Sequence, residues 1–165
     1  MSLKVEWLAA RKGEDPIRYL DDVYRYAIVR LGNREDAEDL AIEVVQSLPS
    51  PCFKSDLRLY MLGMARRKIA SQFRRRRHRL SMRESDRPIR FDEASDEAAL
   101  VHCAMARLIP EHREVLSLKY VSGLTSNEIG TILRKRPEAV DSMLQRARAA
   151  FEQTWLLITS DEVKQ

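Results

Sequence analysis

Between Gly123 and Phe151 the chain carries a local pattern that few folds can accommodate. Gly123 reads as a helix stop, and Thr125-Ser126-Asn127-Glu128 has the spacing of a capping box, in which the first and fourth side chains each satisfy a backbone N–H of the other. Ile129, Ile132 and Leu133 then repeat at helical spacing over one short helix. A three-residue turn, Arg134 to Arg136, leads to Pro137, a residue suited to a first helical position, after which Val140, Leu144, Ala147 and Phe151 line one face of a longer helix. Short helix, tight turn and longer helix is the helix-turn-helix plan, whose second helix is able to enter a major groove.

The rest of the chain is expected to be helical too. With 5 Gly and 6 Pro in 165 residues, a turn-rich all-β fold is excluded. Asp15-Pro16 marks a helix start, and Ile17, Leu20, Tyr24, Ala27, Ile28 and Leu31 recur at 3.6-residue spacing up to Gly32, a natural C-cap. Asn33 caps a second helix with an apolar face of Ala37, Leu40, Ala41, Val44, Val45 and Leu48, stopped by Pro49 and Pro51, and with Asp36, Asp39 and Glu43 on another face. A third helix starts at Ser55 or Asp56 and turns Leu57, Met61, Met64, Ala65 and Phe73 inward. Segments 95–108 and 111–121 read as two further helices separated by Pro110, with Leu100, Leu108, Val115, Leu116 and Leu118 as core candidates. Residues 80–95 are polar, mixed in charge and broken by Pro88, which reads as a linker able to extend roughly 50 Å. The expected fold is therefore all-α: two small helical domains, 16–79 and 96–155, each with its own core, joined by a flexible linker over 80–95 and flanked by an N-terminal extension, 1–15, and a C-terminal tail, 156–165.

Charge is unevenly placed along this frame. The formal net charge is only +4, yet residues 1–80 hold 17 Lys and Arg against 11 Asp and Glu, and residues 81–165 hold 12 against 14. Arg66, Arg67, Lys68, Arg74, Arg75, Arg76, Arg77 and Arg79 follow one another with no acidic residue between them, a basic stripe on the third helix. No apolar run reaches the roughly 20 residues of a membrane span, and the charged first fifteen residues are unlike a secretory signal, so a cytoplasmic protein without membrane insertion is expected. Cys52 and Cys103 are far apart and in no CxxC pair, which fits a reducing compartment. His102 beside Cys103, with His78 and His112 isolated, offers no tetrahedral metal set, and the carboxylates have no His or Cys partner for hydrolytic chemistry. No enzyme activity, metal or cofactor is expected.

Three stretches, in this order and spacing, resemble the bacterial extracytoplasmic-function (group IV) sigma factors: YRYAIVRLGNREDAEDLAIEVV from Tyr24 to Val45, LRLYMLGMARRKIASQFRRRR from Leu57 to Arg77, and LIPEHREVLSLKYVSGLTSNEIGTIL followed by AVDSMLQRARAAF from Leu108 to Phe151. The resemblance implies that 16–79 is a region 2-like domain and 96–155 a region 4-like domain. It also implies that Asp36, Glu38, Asp39, Leu40 and Glu43 dock on core RNA polymerase, for which an exposed acidic and aliphatic face is suited. Lys54, Tyr60, Arg66, Arg67 and the run Arg74, Arg75, Arg76 and Arg77 correspond to the segment that holds and opens the minus-ten promoter element. Arginines along a helix neutralise phosphates, whereas Tyr60 has two roles open to it, stacking on an unpaired base or filling the core. Two readers on a linker suit promoter elements about 17 base pairs, roughly 58 Å, apart. The family is also held inactive by anti-sigma factors, so such a partner is implied here.

For the minus-thirty-five element the resemblance points to Arg134, Lys135, Arg136, Asp141, Ser142, Gln145, Arg146 and Arg148, in a segment that departs from the family pattern. Arg134 stands where a turn glycine is usual, Arg136 where a Ser or Thr cap is usual, and Asp141 and Met143 replace Lys and Arg. Facing phosphates, Asp141 repels them; facing a base edge, it accepts from cytosine N4. An alternative sigma factor is the leading expectation. A sigma-derived adaptor that binds polymerase or a partner without reading promoters is the alternative, and a dimeric helix-turn-helix regulator a third option.

Overall fold

The computed structural model describes residues 15–49, 56–80 and 96–162, with the side chains of 76–80, 96–97 and 161–162 outside that description. The N-terminal extension, the loop containing Lys54 and nearly all of the linker fall outside the described residues. Every regular element among the described residues is helical: a 3-10 turn at Pro16–Tyr19, α1 Leu20–Leu31, α2 Arg34–Gln46, α3 Leu57–Leu80, α4 Asp96–Arg107, α5 Pro110–Leu116 continued by a π turn at Ser117–Val121, α6 Ser126–Leu133 and α7 Pro137–Glu162.

Local chemistry sets most of the boundaries. The Asp15 carboxylate accepts from Ile17 N at 3.0 Å, and Asn33 and Asp56 accept from the backbones of Asp36 and Leu59. Gly32 ends α1 with φ of 69°, a left-handed conformation in which its N–H reaches Ile28 O. Pro110 opens α5 instead of separating two helices, and that helix changes pitch at its end, where Ser122 N bonds to Ser117 O five residues back. Arg113 closes the end of α4, donating to the carbonyls of Met105, Ala106 and Leu108.

The buried face of α1 differs from the expected one. Val23, Tyr26, Ala27, Arg30 and Leu31 are buried, whereas Ile17 is exposed and Tyr24 and Ile28 are half-buried. The cause is a helix with two sets of neighbours: α1 packs against α2 and α3 on one side and against the π turn of the C-terminal half on another. α6 likewise packs on α3. Two separate cores were the expectation; instead the buried residues form one apolar cluster running from Val23, Leu40 and Met61 to Leu118, Ile129 and Val140. Two smaller corrections follow from contacts. Phe73 lies beyond the partners of α3 and is exposed, and the segment expected to be a tail from 156 continues α7 to Glu162, with Ile158 buried.

Candidate nucleic-acid interface

α2 presents Glu35, Glu38, Asp39, Ile42 and Glu43 on its exposed side. Leu40 does not belong to that face: it is 1% exposed and packs with Ala37, Ala41 and Val44, because positions three and four apart share a stripe. The aliphatic residue among the acids is Ile42, 49% exposed. Its sequence signal was its place three residues after Asp39, in phase with the acids. Asp36 is half-buried near the N-cap, and Glu38 pairs with Arg34 at 2.9 Å.

The basic stripe of α3 abuts this acidic face. Lys68 Nζ lies 2.7 Å from Glu43 Oε1, and Glu43, Arg67, Lys68, Ser71, Gln72 and Arg75 line a groove between the helices. Arg67, Arg74 and Arg75 are exposed; Arg76 and Arg77 continue the helix, their side chains outside the described set, as is Lys54 altogether. Tyr60 is half-buried against the core, and the Arg67 guanidinium lies 6.0 Å from its ring centroid.

Arg66 is placed differently from its neighbours. It grips Glu114 through Nε at 2.9 Å and a second nitrogen at 3.4 Å. Glu114 also lies 3.8 Å from Arg30, which is 7% exposed and donates to Pro110 O at 3.0 Å. Burial pushes the nearby Tyr26 hydroxyl well above the usual tyrosine range. Eight residues earlier on α3, Arg58 donates to Asp22 at 2.6 Å and to the Ser122 carbonyl. Residues in each of the pairs Asp22/Arg30, Arg58/Arg66 and Glu114/Ser122 are eight apart. On a helix that is about 12 Å of rise, so two polar ties cross the same seam at two levels. No local sequence signal marks Arg58 or Glu114, since their partners are distant in the chain.

In the helix-turn-helix, Thr125 and Glu128 form both halves of the capping box, and their hydrogen bonds hold the Glu128 carboxyl below the usual carboxylate range. Gly130 lets the chain double back: a Cβ there would lie 2.6 Å from Lys135 O. Arg134 adopts the glycine-type conformation itself, with φ 56° and ψ 47°. Val140, Leu144 and Ala147 are buried, leaving Arg134, Lys135, Arg136, Asp141, Ser142, Gln145, Arg146 and Arg148 exposed together. Asp141 already has a partner inside the motif, accepting from Ser126 Oγ at 2.5 Å and so tying the recognition helix to α6. Arg148 donates to the Tyr120 hydroxyl at 2.6 Å and lies 5.8 Å from that ring, which adds exposed Tyr120 on the π turn to this surface.

Residues 98–151 match the family described as sigma-70, region 4. A curated relative is the extracytoplasmic-function RNA polymerase sigma factor BldN of Streptomyces coelicolor, 28% identical over 145 residues that cover 79% of this chain. The chain spans about half (54%) of the length of that relative. Among solved structures, the sigma factor RpoE in complex with the anti-sigma factor NepR, from Bartonella quintana, shares the fold, with a TM-score of 0.68 at 20% identity over 84% of this chain and 92% of that one. The helix-turn-helix half therefore matches sigma-70 region 4, the fold is shared with a solved sigma factor, and most of the sequence is similar to an extracytoplasmic-function sigma factor.

Proposed function

We propose that this chain is an alternative sigma factor that binds core RNA polymerase, directs it to promoters and assists strand opening. The observation that carries the reading is the seam between α2 and α3, where an acidic face with Ile42 at its centre meets a basic stripe at the Glu43–Lys68 pair. A partner bound on the acidic side leaves the arginines beside it facing DNA. Asp36, Glu38, Asp39 and Glu43, with Ile42 in place of Leu40, dock on polymerase, while Lys54, Tyr60, Arg66, Arg67 and Arg74 to Arg77 hold the minus-ten element. The exposed face of α7, led by Arg134, Lys135 and Arg136, lies on the minus-thirty-five element, with Ser142, Gln145, Arg146 and Arg148 nearest the bases. Core polymerase performs the chemistry and the sigma factor supplies the address. The relative crystallised with an anti-sigma factor supports a similar inhibitory partner for this chain.

Run-off transcription with purified bacterial core enzyme on genomic fragments tests the proposal. New initiation sites are expected with the native protein and their loss when Arg74 to Arg77 are all changed to Ala. Failure to bind core enzyme or to alter initiation sites overturns it. Core binding without new initiation sites would instead favour an adaptor, and sites that persist in the quadruple variant would remove Arg74 to Arg77 from the minus-ten contact.

A further inference from the structure

Arg66 has two anionic claimants. As a promoter-facing residue it would pair with a phosphate, yet here its guanidinium is occupied by Glu114, a carboxylate from the other half of the chain. We propose that Glu114 is an internal stand-in for a DNA phosphate, and that the Arg66–Glu114 and Arg58–Asp22/Ser122 ties latch the two halves in a closed state from which Arg66 must be released to engage DNA. This rests on the reading of Arg66 as a promoter contact.

The placement is specific to a latch. Arginine forks bind carboxylate and phosphate with the same two-pronged geometry, so one anion substitutes for the other. Glu114 is 14% exposed, with Arg30 on one side and Arg66 on the other. Pulling the halves apart strips Glu114 from both cations, while closing them hides it from solvent and keeps one cation of the stripe neutralised. Arg58 has no such charge role toward DNA; its fork holds Asp22 and the Ser122 carbonyl, closing the seam two turns away. A closed state also cannot place two readers on elements roughly 58 Å apart. DNA binding and opening are therefore linked, and the apparent affinity is the intrinsic one multiplied by the open fraction.

The test uses the full chain with two variants of opposite charge sense, Glu114→Gln and Arg58→Gln. Radius of gyration is measured by small-angle scattering without DNA, and affinity by anisotropy of a fluorescein-labelled 30-base-pair duplex of mixed sequence at fixed salt. A compact chain of 165 residues has a radius near 15 Å, and both variants are expected to exceed the native value by several ångströms. Both are also expected to bind about tenfold more tightly, as an open fraction of about one tenth rises toward unity. Arg58→Gln removes a positive charge, so tighter binding by that variant cannot come from simple electrostatics. Should it fail to fold by circular dichroism, Arg58→Lys replaces it, keeping the charge and losing the fork. Unchanged radii overturn the latch. Larger radii without tighter binding overturn the exchange of Arg66 between Glu114 and DNA. The sigma reading fails separately, through the run-off assay with core enzyme.

Discussion

Arg134→Gly should make this protein more stable and a poorer DNA binder at once. An L-residue in the left-handed region costs about 1–2 kcal/mol, and Arg134 sits there at φ 56°. Glycine removes that cost but gains freedom in the unfolded chain, which offsets about 0.4–1 kcal/mol. Arg134 is exposed, so little packing is lost. The net gain is about 0.5–1 kcal/mol, or roughly 1–4 °C in Tm for a chain of this size unfolding as one unit. Losing one guanidinium near phosphates should flatten the slope of log affinity against log salt by about 0.9. Arg134→Ala separates the two effects, since alanine keeps the backbone strain and loses the charge. It should therefore match the glycine variant in DNA binding without any gain in Tm. Differential scanning calorimetry and salt-dependent anisotropy measure both quantities. A lower Tm for Arg134→Gly, or an equal rise for Arg134→Ala, refutes the reasoning.

Gly130→Ala should lose stability by about 1–3 kcal/mol despite alanine's better helix propensity, because the new Cβ meets Lys135 O at 2.6 Å; a neutral or positive shift in urea midpoint would show that the turn yields easily. Leu40→Ala should lower stability by about 2–5 kcal/mol, whereas Ile42→Asp should leave Tm unchanged and weaken binding to core polymerase; the reverse pattern would reinstate Leu40 as a surface contact. The depressed Glu128 carboxyl contributes stability that is complete above the ordinary value near 4.3 and lost as pH falls through its lower folded value. Glu128→Gln should flatten the acid limb of the Tm-against-pH curve, and an unchanged limb would contradict that linkage. A double-mutant cycle of Ser126→Ala and Asp141→Ala should show coupling of about 0.5–1.5 kcal/mol, and additivity would free Asp141 for base contact.

What the sequence determined by itself was whatever depends on neighbours within about four residues. The capping box at Thr125 and Glu128, the Gly32 cap, the Pro137 start and the inward Leu57, Met61, Met64 and Ala65 were all legible, because capping and helical periodicity are short-range. The exposed side of the recognition helix followed from the same spacing. Only the tertiary structure decided which α1 residues are buried, since α1 touches both halves and its buried stripe is the sum of two contacts. It also decided that Asp141 is taken up by Ser126. Most consequentially, it joined Arg66 to Glu114 across 48 residues of chain and Arg58 to the Ser122 carbonyl across 64. A charged side chain in sequence is an unspent attraction, and its partner is fixed only when folding brings distant helices to one seam.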